Sequence, residues 1–218
     1  MKKIAIVLTF FPGMLTAQVG PTPEQASKAE DKARTEWAQL EKKGWKTMNE
    51  NDNPVTMLSD YWKTKEVLDA EGSSYFVYPF TFGNGNTSEE ALKDALVKAH
   101  DEMTGILALY FQSWNMTNSS KFQKETSAVD KAINKTQADW KKALSEMEGI
   151  NTVVLLRQKG SKTEVHLRMR FVQEEAKNIM RTIILDYLKK NEGWTDEMGK
   201  QFLYYKATKP GISISIGK

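Results

Sequence analysis

The run TVVLLRQKGSKTEVHLRMRF, Thr152–Phe171, limits what this chain can fold into more than any other stretch. Two strand-like segments, Val153–Arg157 and Glu164–Phe171, flank the turn KGSK. In the second, Val165, Leu167, Met169 and Phe171 alternate with His166, Arg168 and Arg170. Period-two alternation on either side of a short glycine-containing turn predicts a β-hairpin, and so an antiparallel sheet. A long helix is predicted directly behind it, Gln173–Lys190, with Ala176, Met180, Ile183, Ile184 and Leu188 on one side. A sheet face and a helix stripe each need an apolar layer to bury against. The expected class is therefore α+β, an antiparallel sheet with long amphipathic helices packed on it, in a single domain.

The rest of the chain fits that frame. Glu24–Lys43 reads as a helix with Ala26, Ala29, Ala33, Trp37 and Leu40 on one face, stopped by Gly44. Val55–Ala70 is a second helix and Ser74–Phe82 an aromatic strand, in which Pro79 favours a sheet edge or a bulge. GNGN, Gly83–Asn86, is expected to break that strand and turn the chain. Thr87 and Glu90 have capping-box spacing at the start of a helix carrying Ala91, Ala95, Ala99, Met103 and Leu107. Trp114–Ser120 reads as a polar turn and Thr126–Glu148 as another helix. The closing ISISIGK alternates like a strand with one wet face.

The opening MKKIAIVLTFFPGMLTAQVG has a basic start, a short apolar run and a small-residue exit at Ala17. That pattern predicts an export signal over residues 1–17, leaving residues 18–218 as one α+β domain with an N-terminal helix. The apolar run is shorter than the roughly 20 residues a membrane span needs, so no transmembrane span is expected. The 218 residues contain no cysteine, which excludes disulfides, thiolate metal sites, a cysteine nucleophile and a lipobox anchor. Once Lys2 and Lys3 are removed, the 31 basic residues fall to 29 against 28 acidic ones. Such a balance argues against a nucleic-acid partner, which needs positive charge gathered on one face.

Chemistry-bearing residues are sparse. FGNGNTSEE has the strand–glycine–helix order of a phosphate site, but no Walker lysine follows, and Glu89 and Glu90 already occupy the helix start. The two histidines, His100 and His166, lie at no metal-binding spacing, so no metal, cofactor or catalytic set is expected. The candidate contact residues for a partner or ligand are of two kinds. Trp45, Trp114 and Trp194 sit beside predicted loops, which leaves two readings open: rings exposed as a ligand platform, or rings packed in the core or at a docking surface. Arg157, His166, Arg168 and Arg170 share the predicted wet side of the hairpin, as a basic patch or as a surface neutralised by Glu174 and Glu175.

Gly44-Trp45 after the first helix, the aromatic strand ending in Gly83–Asn86, and the ladder Ala91, Ala95, Ala99 resemble the LPP-twenty-like family of bacterial envelope proteins. The hairpin and the long helix after it fit the same order, so the likeness runs from Glu24 to Lys190. It implies a compact α+β fold at the cell envelope, periplasmic or on the outer side, with no catalytic residues to carry over. The family's lipidated cysteine is missing here. The expectation is an exported, non-enzymatic protein that acts by association with envelope proteins. The alternative is a glycan- or small-anion-binding module using the loop tryptophans or hairpin arginines.

Overall fold

The computed structural model describes residues 20–69, 72–118 and 123–203. In chain order these form α1 (Pro23–Lys42), β1 (Lys46–Thr47), α2 (Pro54–Lys65), β2 (Phe76–Val77), β3 (Phe80–Gly85) and α3 (Ser88–Asn118). There follow α4 (Gln123–Lys135), α5 (Gln137–Ser145), β4 (Ile150–Lys159), β5 (Lys162–Val172), α6 (Gln173–Glu192) and α7 (Asp196–Leu203). The predicted export signal and the ISISIGK strand lie outside the described residues.

The predicted hairpin forms the centre of the sheet. β4 and β5 pair antiparallel across the turn, with Lys159 opposite Lys162, and Gly160 supplies the left-handed conformation the tight turn needs at φ 64°. β1 lies outside β4, while β3 and β2 follow one another along the far edge of β5. Tyr78-Pro79 separates those two strands. Pro79 has no N–H to give, and its carbonyl accepts from Met169 N at 3.1 Å, so the proline sits at an edge as its chemistry requires.

Helices cover both faces of this sheet. On one face Val165, Leu167, Met169 and Phe171 pack with Ala91, Ala95, Ala99, Met103, Met180, Ile184 and Leu188 into the larger core. On the other, Val153 and Leu155 pack with Ala33, Trp45, Leu58 and Tyr61 beneath the α1–α2 pair. The arrangement is an α+β single domain in which the sheet is the middle of three layers.

Several boundaries differ from the sequence reading. The second helix ends at Lys65 rather than Ala70. The aromatic strand does not stop at the glycines: Gly83 and Gly85 are part of β3, opposite Val165 and Thr163. A Cβ on Gly83 would lie 1.9 Å from the Ala91 carbonyl oxygen, and one on Gly85 2.5 Å from Ala91 N. These glycines let α3 approach the strand; they do not turn the chain. Trp114–Asn118, expected as a turn, continues α3, which runs for 31 residues. The helix expected over Thr126–Glu148 is two, divided where the buried Thr136 hydroxyl donates back to Ala132 O at 2.8 Å.

Candidate functional site: an aromatic cleft floored by His166 and Arg168

The α1 terminus sets one wall of the site. Gly44 adopts φ 80°, its N–H donates to Glu41 O, and the Trp45 N–H reaches back to Leu40 O at 3.1 Å. This is the Schellman closure, which folds the residue after the glycine onto the helix it follows. Trp45 is accordingly buried at 3 % exposure, not displayed on a loop. Trp194 follows Gly193, at φ 69°, with both backbone N–H groups donating to Leu188 O, and is buried edge-on against Phe202 at 5.6 Å in the larger core. Trp114 belongs to α3, and its side chain lies outside the description.

β5 provides the floor. His166 and Arg168 do share a face with Arg170, but that face is not wet: His166 is 2 % and Arg168 4 % exposed, because α1 and α2 lie over them. A clue to this was present in β4, where Val153–Leu156 is a continuous apolar run rather than an alternating one. Such a run marks a strand buried on both faces.

A guanidinium at that depth needs partners. Glu36 from α1 pairs with Arg168, and the Glu36 carboxylate also accepts the Trp62 indole N–H at 2.8 Å. The Arg168 guanidinium lies over Tyr61 at 4.6 Å and over Phe80 at 5.2 Å. Its Nε donates to His166 Nε2 at 3.0 Å. Since a guanidinium only donates, His166 Nε2 must be the unprotonated nitrogen, which assigns the imidazole proton to Nδ1. Among the described residues that Nδ1 is buried with no hydrogen-bond partner. Burial, and secondarily the charge of Arg168, push the His166 pKa down to about 3, so the ring is neutral at physiological pH.

Arg157 makes the other side. Its guanidinium lies 4.5 Å over the Trp45 ring, and its Nε donates to Glu164 Oε2 at 2.7 Å. Glu164 also takes the Lys159 ammonium at 3.0 Å; the hydrogen bonds from Lys159 and Arg157 hold its carboxyl below the usual range. The expected neutralisation by Glu174 and Glu175 does not occur, for Glu174 pairs with Arg181 on α6. The acids that neutralise this face are Glu36 and Glu164.

Between these walls opens a cleft of about 330 Å³, lined by Trp45, Phe80, Phe82, Arg157, His166 and Arg168, with Glu36, Gln39, Leu40 and Lys43 around the α1 side. Phe80 and Phe82 remain 41 % and 45 % exposed, their rings 5.1 Å apart in an edge-to-face pair. Both contact the imidazole, at 4.7 and 5.1 Å. Four of the seven candidate residues thus converge on one site. Arg170 does not: its guanidinium lies over Phe76 at 5.1 Å and borders a separate hollow with Asp52, Asp60 and Ile150. Missed from the sequence were Glu36, Phe80 and Phe82. The phenylalanines read as strand residues, but nothing local tells which face α1 leaves uncovered.

Among the described residues no three His, Asp or Glu side chains gather as a metal site, and no helix is long and apolar enough to cross a membrane. No protein-family model, curated protein or solved structure matches the chain.

Proposed function

We propose that this is an exported, envelope-associated protein that works by binding another protein through the Trp45–Phe82 cleft, without catalysis. The observation that carries the reading is the pair of half-exposed phenylalanines set on a rigid floor of paired arginines and buried aromatic rings. Aromatic and arginine side chains held in one place by packing are the usual energetic centres of protein interfaces. A catalytic role is disfavoured by how the polar groups are used. The His166 Nε2 lone pair is taken by Arg168, and Glu36 and Glu164 are each committed to guanidinium partners. The same pairing weakens the alternative of a small anion held by the hairpin arginines, because Arg157 and Arg168 are already neutralised. The export assignment rests on the opening residues and the envelope resemblance.

The test is site-specific photocrosslinking. A benzoylphenylalanine placed at position 82 in intact cells should yield a discrete protein adduct in the envelope fraction, and the same probe at exposed Lys28 should not. A mature protein that is free and monomeric in every fraction, with no adduct specific to position 82, would overturn the proposal.

A further inference from the structure

We infer that the cleft receives the C-terminal residue of its partner, an apolar side chain ending in a free carboxylate. This rests on the association reading above and specifies what is bound.

The chemistry follows from what the cleft has left to offer. Phe80 and Phe82 present apolar ring surface to solvent. Glu36 is occupied by Arg168 and the Trp62 N–H, and Glu164 by Arg157 and Lys159. Apart from the Gln39 amide, the unspent polar capacity consists of donors. Lys43 at the rim makes no ion pair among the described residues, and beneath it the buried His166 Nδ1–H has no acceptor among them. A cationic group would find no free carboxylate there, whereas an acceptor-only group joined to an apolar body fits both halves.

Geometry selects a chain end. A volume of about 330 Å³ lies at the small end of ligand pockets, roughly 300–1,000 Å³, and suits one or two residues. Strand addition along β3 is closed, because α3 side chains occupy the outward groups of that edge. Glu102 accepts from Phe80 N at 3.1 Å, Lys98 donates to Phe82 O at 3.1 Å, and Asp94 accepts from Asn84 N at 2.9 Å. A partner must deliver a tip to the cleft, not an edge to the sheet.

The experiment titrates the ¹⁵N-labelled mature protein with acetyl-Gly-Gly-Phe, as the free acid and as the C-terminal amide. The acid should shift the amide resonances of Phe80 and Phe82 and the Trp45 indole resonance, and bind about ten-fold more tightly than the amide. Lys43→Ala, at an exposed position, should bring the two forms towards equal affinity. Equal binding of acid and amide at the cleft would overturn the carboxylate assignment and leave the association reading standing. Silence of the cleft resonances with both peptides would also overturn the inference. The broader reading falls only with loss of the position-82 adduct.

Discussion

Two residues show how burial changes the meaning of a polar side chain. His166 and Arg168 alternate with apolar neighbours, yet both lie under α1 and are held by each other and by Glu36. The neutral, buried imidazole carries a pH consequence. In the unfolded chain His166 takes up a proton below its ordinary pKa of 6.5, while in the native state it resists until about pH 3. The unfolded state therefore binds more protons across that window, and stability is lost as the pH falls from about 6.5 towards 3. Each pH unit is worth at most about 1.4 kcal/mol, so this one group accounts for about 2 kcal/mol between pH 6.5 and 4.5. His166→Gln keeps an acceptor for Arg168 Nε but does not titrate. In urea denaturation at those two pH values, the variant should lose about 2 kcal/mol less than the parent. Equal losses would place the acid sensitivity elsewhere.

At the scale of elements, the contact between β3 and α3 is a fit of small residues against small residues. Gly83 and Gly85 face Ala91 and Ala95, and the helix backbone lies so close that an added methyl would strike main-chain atoms. Neither partner is the far end of a flexible side chain, so relief would require moving the helix. Gly83→Ala should destabilise by about 3 kcal/mol or more. Gly105 lies on the same helix, where a Cβ would meet nothing within 4 Å. Gly105→Ala should instead stabilise by about 0.5–1 kcal/mol, through the reduced freedom of the unfolded chain. Thermal denaturation of the two variants should move in opposite directions. A neutral Gly83→Ala would mean that helix and strand stand further apart. The Thr87–Glu90 pair was legible as a helix start because it is local: Thr87 Oγ1 accepts from Glu90 N at 3.1 Å, and Glu90 Oε2 from Asn86 N at 2.8 Å.

For the whole molecule, the decisive feature is that the sheet separates two unequal cores. The larger core gathers β5, α3 to α7 and the Ala91 ladder, whereas the smaller one has Ala33, Trp45, Leu58, Tyr61, Val153 and Leu155 at its centre. Fewer buried apolar side chains leave less free energy holding α1 and α2 to the sheet. Hydrogen exchange followed by mass spectrometry should accordingly show the mid-helix amides of α1 and α2 exchanging well before those of α6. Simultaneous exchange of both layers would mean that they unfold as one cooperative unit. Because the cleft lies along the edge of α1, occupancy at Phe80 and Phe82 should also slow α1 exchange.

What the sequence determined alone was mainly periodic or local. The β4–β5 hairpin, the α+β class, the stripes of α1, α3 and α6, and the glycine that ends α1 all follow from side-chain spacing and backbone conformation. Tertiary structure decided which faces are covered. It turned GNGN from an expected turn into a contact surface, because only the approach of α3 explains why β3 carries no side chain at Gly83. It buried Trp45 and Trp194, turned the arginine face from a wet patch into a neutralised floor, and brought Trp45 to Arg157 and His166 across 112 to 121 residues of chain. Alternation along a strand records that its two faces differ; whether the polar face meets water depends on a helix encoded far away, here Glu36 and the rest of α1.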